Sequence, residues 1–224
     1  MTCGRRPDRL PEIRPGDRRR SPAIERARGI GVPVPVVLAV TGQYLLTAEV
    51  AGAPSDAPGV LAQAVRHLRR LHELQAPNAD WPGRLDLLID ELDVLVDHLG
   101  TALIDQLRQL LRPFVDEVAA APPSLLHADL HTRHLYAADG RLTAILDWGD
   151  ACYGDPLYDL ARLTMTADPA TVLTAYGLHP TLDLARTLSR YRLVWSLSAL
   201  HSEHAAGGAW FAPHVERIRR ELVS

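Results

Sequence analysis

Between Ser124 and Asp150 the chain reads Ser-Leu-Leu-His-Ala-Asp-Leu-His-Thr-Arg-His-Leu-Tyr-Ala-Ala-Asp-Gly-Arg-Leu-Thr-Ala-Ile-Leu-Asp-Trp-Gly-Asp. Imidazoles and carboxylates are concentrated here: His127, Asp129, His131 and His134 precede one short apolar run, and Asp147 and Asp150 follow a second. A carboxylate such as Asp129 can accept the proton of a hydroxyl group, and Asp147 with a neighbouring imidazole or amide can hold a hard divalent cation. That is the minimum equipment for phosphoryl transfer. The spacing His127-x-Asp129-x-His131-x-x-His134 equally suits a zinc or di-metal hydrolase, since imidazole is a habitual zinc ligand and carboxylate can complete the shell. In a third reading the histidines simply hydrogen-bond backbone carbonyls in a tight loop. Residue types alone leave these open.

Such groups act together only if the chain brings them together. Leu135–Ala137 and Leu142–Leu146 read as two strands around Ala138-Asp139-Gly140, in which Asp-Gly is a turn signal. A hairpin there returns the end bearing Asp147 and Asp150 to the end preceded by the histidines. Upstream, the β-branched runs Val32–Val40 and Tyr44–Val50 around Thr41-Gly42-Gln43 predict a second hairpin. Leu61, Val65, Leu68 and Leu71 predict an amphipathic helix within 57–74. Further helices are expected over 84–99 and 101–119, with Gly100 as the stop between them, and over 169–176, 182–204 and 212–222.

Of 224 residues, 47% are hydrophobic and 23% charged, enough for one or two compact units with a real core. The longest apolar run, Val32–Val40, is too short to cross a bilayer, and the first thirty residues hold no signal-peptide core. A soluble, cytoplasmic protein is expected. Cys3 and Cys152 are too few for a disulfide framework or a thiolate zinc site. All 24 basic residues are arginine. No lysine is present for a Schiff base or a P-loop, and the P-loop pattern is also missing. Residues 1–28 carry nine arginines against four acids, with Pro7, Pro11, Pro15 and Pro22, and are expected to be an irregular head. The head lacks aromatics for base stacking and the rest of the chain is acidic, so no nucleic-acid partner is expected.

Three segments in order carry a resemblance. His127-Ala128-Asp129-Leu130-His131-Thr132-Arg133-His134, the strand ending Leu142–Trp148, and Gly154-Asp155-Pro156-Leu157-Tyr158-Asp159-Leu160-Ala161 resemble the aminoglycoside phosphotransferase and choline-kinase-like family, a branch of the protein-kinase-like fold. The family pattern is H-[GA]-D-x-x-x-x-N, then I-D-W, then G-D-P-x-x-D-L-A. The similarity extends more weakly from about Val32 to the C-terminus, through Val32-Pro33-Val34-Pro35, the 44–52 segment and Arg70-Leu71-His72. After the compositional head 1–28, it implies an α+β fold with a remnant N-terminal β lobe and its hinge over 29–52, and a predominantly helical C-terminal lobe over 53–224 that contains the catalytic hairpin 124–150.

By position, the resemblance implies that Asp129 is the catalytic carboxylate serving the acceptor hydroxyl, and that Asp147 with His134 holds Mg2+ on the phosphates of ATP or GTP. Ala48 and Val50 match the hinge that pairs with the purine edge, and Leu146 the residue packing under the base. His127 and Asp155 correspond to supports of the loop. Asp150 and His131 are candidates for contact with a small-molecule acceptor, an aminoglycoside- or macrolide-type antibiotic, and Glu203 and Glu216 could add charge for a cationic one. Two departures stand out. His134 replaces the usual Asn, as in macrolide-phosphotransferase-like members, and imidazole can still ligate a metal. The family's phosphate-clamping lysine has no counterpart, and only Gly29-Ile30-Gly31 resembles a glycine loop. Losing such a charge is expected to cost about a thousandfold or more in rate. The sequence thus leaves a working kinase with an unusual nucleotide site, a truncated or mis-started one, and a kinase-like protein that binds without turnover.

Overall fold

The structure, a computed structural model, describes residues 20–40 and 45–223. Most of the expected head, Cys3, and the Thr41-Gly42-Gln43 break with Tyr44 lie outside the described residues. Helix α1 (Arg20–Gly29) corrects the expectation that the head is irregular through residue 28. Ala23, Ile24 and Ala27 fall on one helical face and are buried. Polar ties fix the helix from outside: Arg28 donates to the Pro35 carbonyl at 2.6 Å, and Arg26 to the Tyr153 hydroxyl.

Strands β1 (Val37–Val40) and β2 (Leu45–Thr47) pair antiparallel, with Val37 opposite Thr47 and Val40 opposite Leu45. The run from Val32 becomes strand only at Val37, because Pro33 and Pro35 have no N–H to donate. The Pro33 carbonyl instead accepts from Ile145 N at 2.8 Å, which joins this segment to the expected hairpin. That hairpin forms as β5 (Leu135–Ala138) and β6 (Arg141–Ile145), and a short β3 (Ala53–Pro54) adds to β5. At its turn Asp139 and Gly140 take φ of 50° and 73°, the left-handed pair that a two-residue hairpin requires.

Helix α2 (Pro58–Leu71) buries all four residues of the predicted stripe. Its Gln63 holds the hairpin turn, donating to the Gly140 carbonyl and accepting from Leu142 N at 3.0 and 3.1 Å. The helix expected over 84–99 is three pieces: α3 (Trp81–Asp90), a 3-10 segment (Glu91–Leu95) and α4 (Val96–Leu99). Arginines of α5 (Thr101–Val118) reach this break: Arg108 pairs with Asp93 at 2.9 Å, and Arg112 pairs with Asp86 and Asp90. β4 (Ser124–Leu126) pairs antiparallel with β7 (Cys152–Gly154), and α6 (Pro156–Leu163), α7 (Pro169–Tyr176), α8 (Leu182–Ala205) and α9 (Ala212–Val223) complete the lobe. The result is α+β with a predominantly helical C-terminal lobe. No helix among the described residues is long and apolar enough to cross a membrane.

The β4–β7 ladder sits on an aromatic cluster of Trp81, Phe114, Tyr158 and Tyr191. Gly154 lies so close to Trp81 that a Cβ there would come within 2.5–2.7 Å of the indole ring. Gly154→Ala is therefore expected to destabilise the protein by about 1–3 kcal/mol through overpacking, read from the urea midpoint. An unchanged midpoint would contradict this packing.

Candidate active site

The loop from His127 to His134 links β4 to β5. Ala128 has φ +68°, a left-handed conformation costing a non-glycine residue about 1–2 kcal/mol. The bend aims two successive amides at one carboxylate: His127 N donates to Asp159 Oδ2 at 2.8 Å, and Ala128 N to Asp159 Oδ1 at 2.7 Å. Asp159, on α6, is 0% exposed and also contacts His72 Nε2 at 3.1 Å. His72 Nδ1 meets the Tyr176 hydroxyl at 2.8 Å, so the brace takes in α2, α6 and α7.

This corrects the role expected of Asp155. Its Oδ1 caps α6 by accepting from Leu157 N, and its Oδ2 accepts from the Tyr191 hydroxyl, both at 2.8 Å. It anchors the helix, and the carboxylate one turn later holds the loop. His127 joins the two hairpin ends: Nε2–H donates to the Leu146 carbonyl at 2.8 Å and Nδ1 accepts from Asp129 N at 3.4 Å. With both nitrogens engaged it is a support, and the four-residue zinc cluster loses a ligand.

Asp129 Oδ1 accepts from Arg162 Nε at 2.7 Å. Arg162 is 5% exposed and lies over the Trp195 ring at 3.9 Å, so the guanidinium is held firmly against one carboxylate oxygen. Oδ2 is left 4.0 Å from His131 Nε2. Both belong to a cavity of about 460 Å³ whose wall includes Asp150, Trp195, Ser202, Glu203 and Trp210. Glu216 is not part of that wall.

Across the loop, His134 Nδ1–H donates to the Asp129 carbonyl at 3.0 Å, turning Nε2 toward Asp147 Oδ2 at 3.8 Å. Two ligands of one cation at about 2.1 Å each stand about 3–4 Å apart, so this pair suits a shared divalent ion. Burial and the neighbouring His127 hold His134 below the usual imidazole pKa, which keeps the nitrogen lone pair available at neutral pH. Asp147 is itself in the left-handed region at φ +58°, as its place after β6 demands. With Leu146, His134, Leu45 and Thr47 it lines a second cavity of about 440 Å³. Ala48 and Val50 are not in that lining, and Ala48 N already donates to the Val36 carbonyl at 2.8 Å. The β2 residues Leu45 and Thr47, just before the expected hinge, face the cavity.

Asp129, His131 and His134 place ligand atoms within 4.8 Å of one another. In this arrangement His131 Nδ1 accepts from Arg133 N at 3.2 Å, so the neutral ring bears its hydrogen on Nε2. Burial, with His134 and Arg162 nearby, pushes its pKa down to about 4. The ring serves as cap of the following 3-10 turn and as a neutral donor facing Asp129.

Asp159 and Arg162 are the functional residues that sequence reasoning missed. The last motif contained the first. The second was marked by a charge among Leu160, Ala161 and Leu163, all buried. Asp159→Ala leaves two buried amides without an acceptor and is expected to cost about 3–5 kcal/mol in chemical denaturation. A loss below about 1 kcal/mol would contradict the brace.

A family model described as "Phosphotransferase enzyme family" matches residues 18–194. Hygromycin-B 4-O-kinase of Escherichia coli is 30% identical over 84 residues, which is 35% of this chain and only 25% of that enzyme. Macrolide 2'-phosphotransferase of Brachybacterium faecium, solved as an apoenzyme, superposes with a TM-score of 0.65 at 20% identity, covering 92% of this chain and 81% of its own. A thermostable mutant of aminoglycoside phosphotransferase APH(4)-Ia, solved with ADP and hygromycin B, gives 0.64 at 20% identity, covering 89% and 81%. At such identity the two structures establish the protein-kinase-like fold alone. The matched span of the family model includes the braced loop, the strand ending at Asp147 and the start of α6, and the chain belongs to the phosphotransferase enzyme family.

Proposed function

We propose that this protein transfers the terminal phosphoryl group of ATP or GTP to a hydroxyl of a small molecule, an antibiotic of the aminoglycoside or macrolide type. One observation carries the reading: a single braced loop separates two cavities, with the Asp129 carboxylate facing one and the Asp147–His134 pair facing the other. A donor in the Leu146 cavity and an acceptor in the Trp195 cavity would meet across that loop.

In this scheme the acceptor hydroxyl lies against Asp129 Oδ2, the oxygen that Arg162 leaves free. The hydroxyl oxygen bonds to the terminal phosphorus, the bond from that phosphorus to the bridging oxygen breaks, and the nucleoside diphosphate leaves with the electron pair. The hydroxyl proton passes to Asp129. Asp147 and His134 would hold Mg2+, which when bound supplies positive charge to the phosphates. Leu146, with Leu45 and Thr47 opposite, would sandwich the base. Asp150 and His131 would contact the acceptor beside Trp195 and Trp210. The reading implies a cytoplasmic enzyme, where nucleoside triphosphates are held. The hygromycin-B 4-O-kinase similarity and the shared fold with a macrolide phosphotransferase support an antibiotic acceptor.

A chain without lysine offers no ammonium to the inner phosphates, and this favours a second reading, a protein that binds nucleotide without transferring it. The metal-hydrolase alternative loses His127, whose two nitrogens are engaged, and would rest on Asp129, His131 and His134 alone. Calorimetric titration with ATP and GTP, each with and without magnesium, is expected to show magnesium-dependent binding that Asp147→Ala removes. Asp129→Asn should lower the rate of phosphorylation of hygromycin B or a macrolide by about 10²–10⁴-fold and leave nucleotide affinity unchanged. Equal turnover by the variant would defeat the role of Asp129. Binding by the wild type with no phosphorylated product from any acceptor would select the second reading.

A further inference from the structure

The Leu146 cavity and the Trp195 cavity share one lining residue among the described residues, Arg133. Its backbone is fixed by the 3-10 turn Thr132–His134: Arg133 N donates to His131 Nδ1, His134 N donates to the His131 carbonyl at 2.9 Å, and Thr132 N donates to Thr166 Oγ1 at 3.2 Å. Its side chain is exposed, and among the described residues it makes no hydrogen bond or ion pair. The neighbouring Arg162, by contrast, is buried and committed to Asp129.

The loop thus presents an exposed arginine on the wall shared by the cavity of Asp129 and the cavity of Asp147 and His134. A free cation with several donors in a planar fork matches two oxygens of one phosphoryl group. Every basic residue of this chain is arginine, so any fixed side-chain cation that it offers a phosphate is a guanidinium. Resting on the phosphotransferase reading above, we propose that Arg133 binds the terminal phosphoryl group of the donor and steadies it during transfer, and does not contact the inner phosphates.

The proposal is read from the difference between a triphosphate and a diphosphate. Magnesium-dependent binding of AMP-PNP and ADP, or of their guanine counterparts, is measured by calorimetry on the wild type, Arg133→Gln and Arg133→Lys. The wild type should bind AMP-PNP more tightly than ADP. Arg133→Gln should weaken AMP-PNP binding by about 10–100-fold while ADP binding stays within about twofold. Arg133→Lys, which keeps the charge without the fork, should fall between. Because the side chain is exposed and unpartnered, the melting temperatures of the variants should match that of the wild type. Equal binding of AMP-PNP by wild type and Arg133→Gln, or equal weakening of both nucleotides, would overturn this role and leave the phosphotransferase reading standing. A folded wild type that binds neither nucleotide would overturn both.

Discussion

The carboxylate of Asp159 is shut away from water, and its solvation comes from two loop amides and the ring of His72. A carboxylate so placed is tolerable only while those partners remain, because burying one without hydrogen-bond donors costs several kcal/mol. The requirement runs both ways. The left-handed backbone at Ala128 persists because it delivers the amides, and the amides fix the position from which Asp129 departs. His127 then passes the same constraint to the far end of the hairpin through the Leu146 carbonyl, one residue before Asp147.

Two carboxylates on opposite sides of one loop are thereby set by a single internal frame. Asp129 is held on one side by Arg162, whose guanidinium lies over Trp195. Asp147 remains half-exposed, with His134 oriented toward it by a bond to the Asp129 carbonyl. The strained residues Ala128 and Asp147 both sit in this small region, where departures from relaxed backbone geometry fix the direction of functional side chains. The helices behind it, tied through His72, Tyr176 and Tyr191, are the rigid support on which those directions depend.

Local signals in the sequence translated well. The Asp139-Gly140 turn, the stripe Leu61–Leu71 and the helices of the C-terminal lobe follow from periodicity and turn chemistry that neighbouring residues control. What depended on distant partners did not translate. Helix α1 exists because Ala23, Ile24 and Ala27 find a core, while its composition reads as irregular. The break at Glu91–Leu95 carries no glycine or proline, and the ion pairs that accompany it come from α5. Asp155 and Asp159 are both conspicuous in Gly-Asp-Pro-Leu-Tyr-Asp, yet which of them faces the loop is decided by the helix turn between them. Likewise, that Leu45 and Thr47 face the cavity beside Leu146 follows from the pairing of β1 with β2, which no local signal reports.

The central claim is that the loop divides a donor side, holding metal and nucleotide, from an acceptor side served by Asp129. Crystals grown with Mn2+ and AMP-PNP, measured at the manganese absorption edge, test it directly. The account predicts an anomalous peak between His134 Nε2 and the Asp147 carboxylate, with the base against Leu146 and the cavity beside Trp195 free of nucleotide. A peak enclosed by Asp129, His131 and His134, with no ligand bond to Asp147, would contradict it.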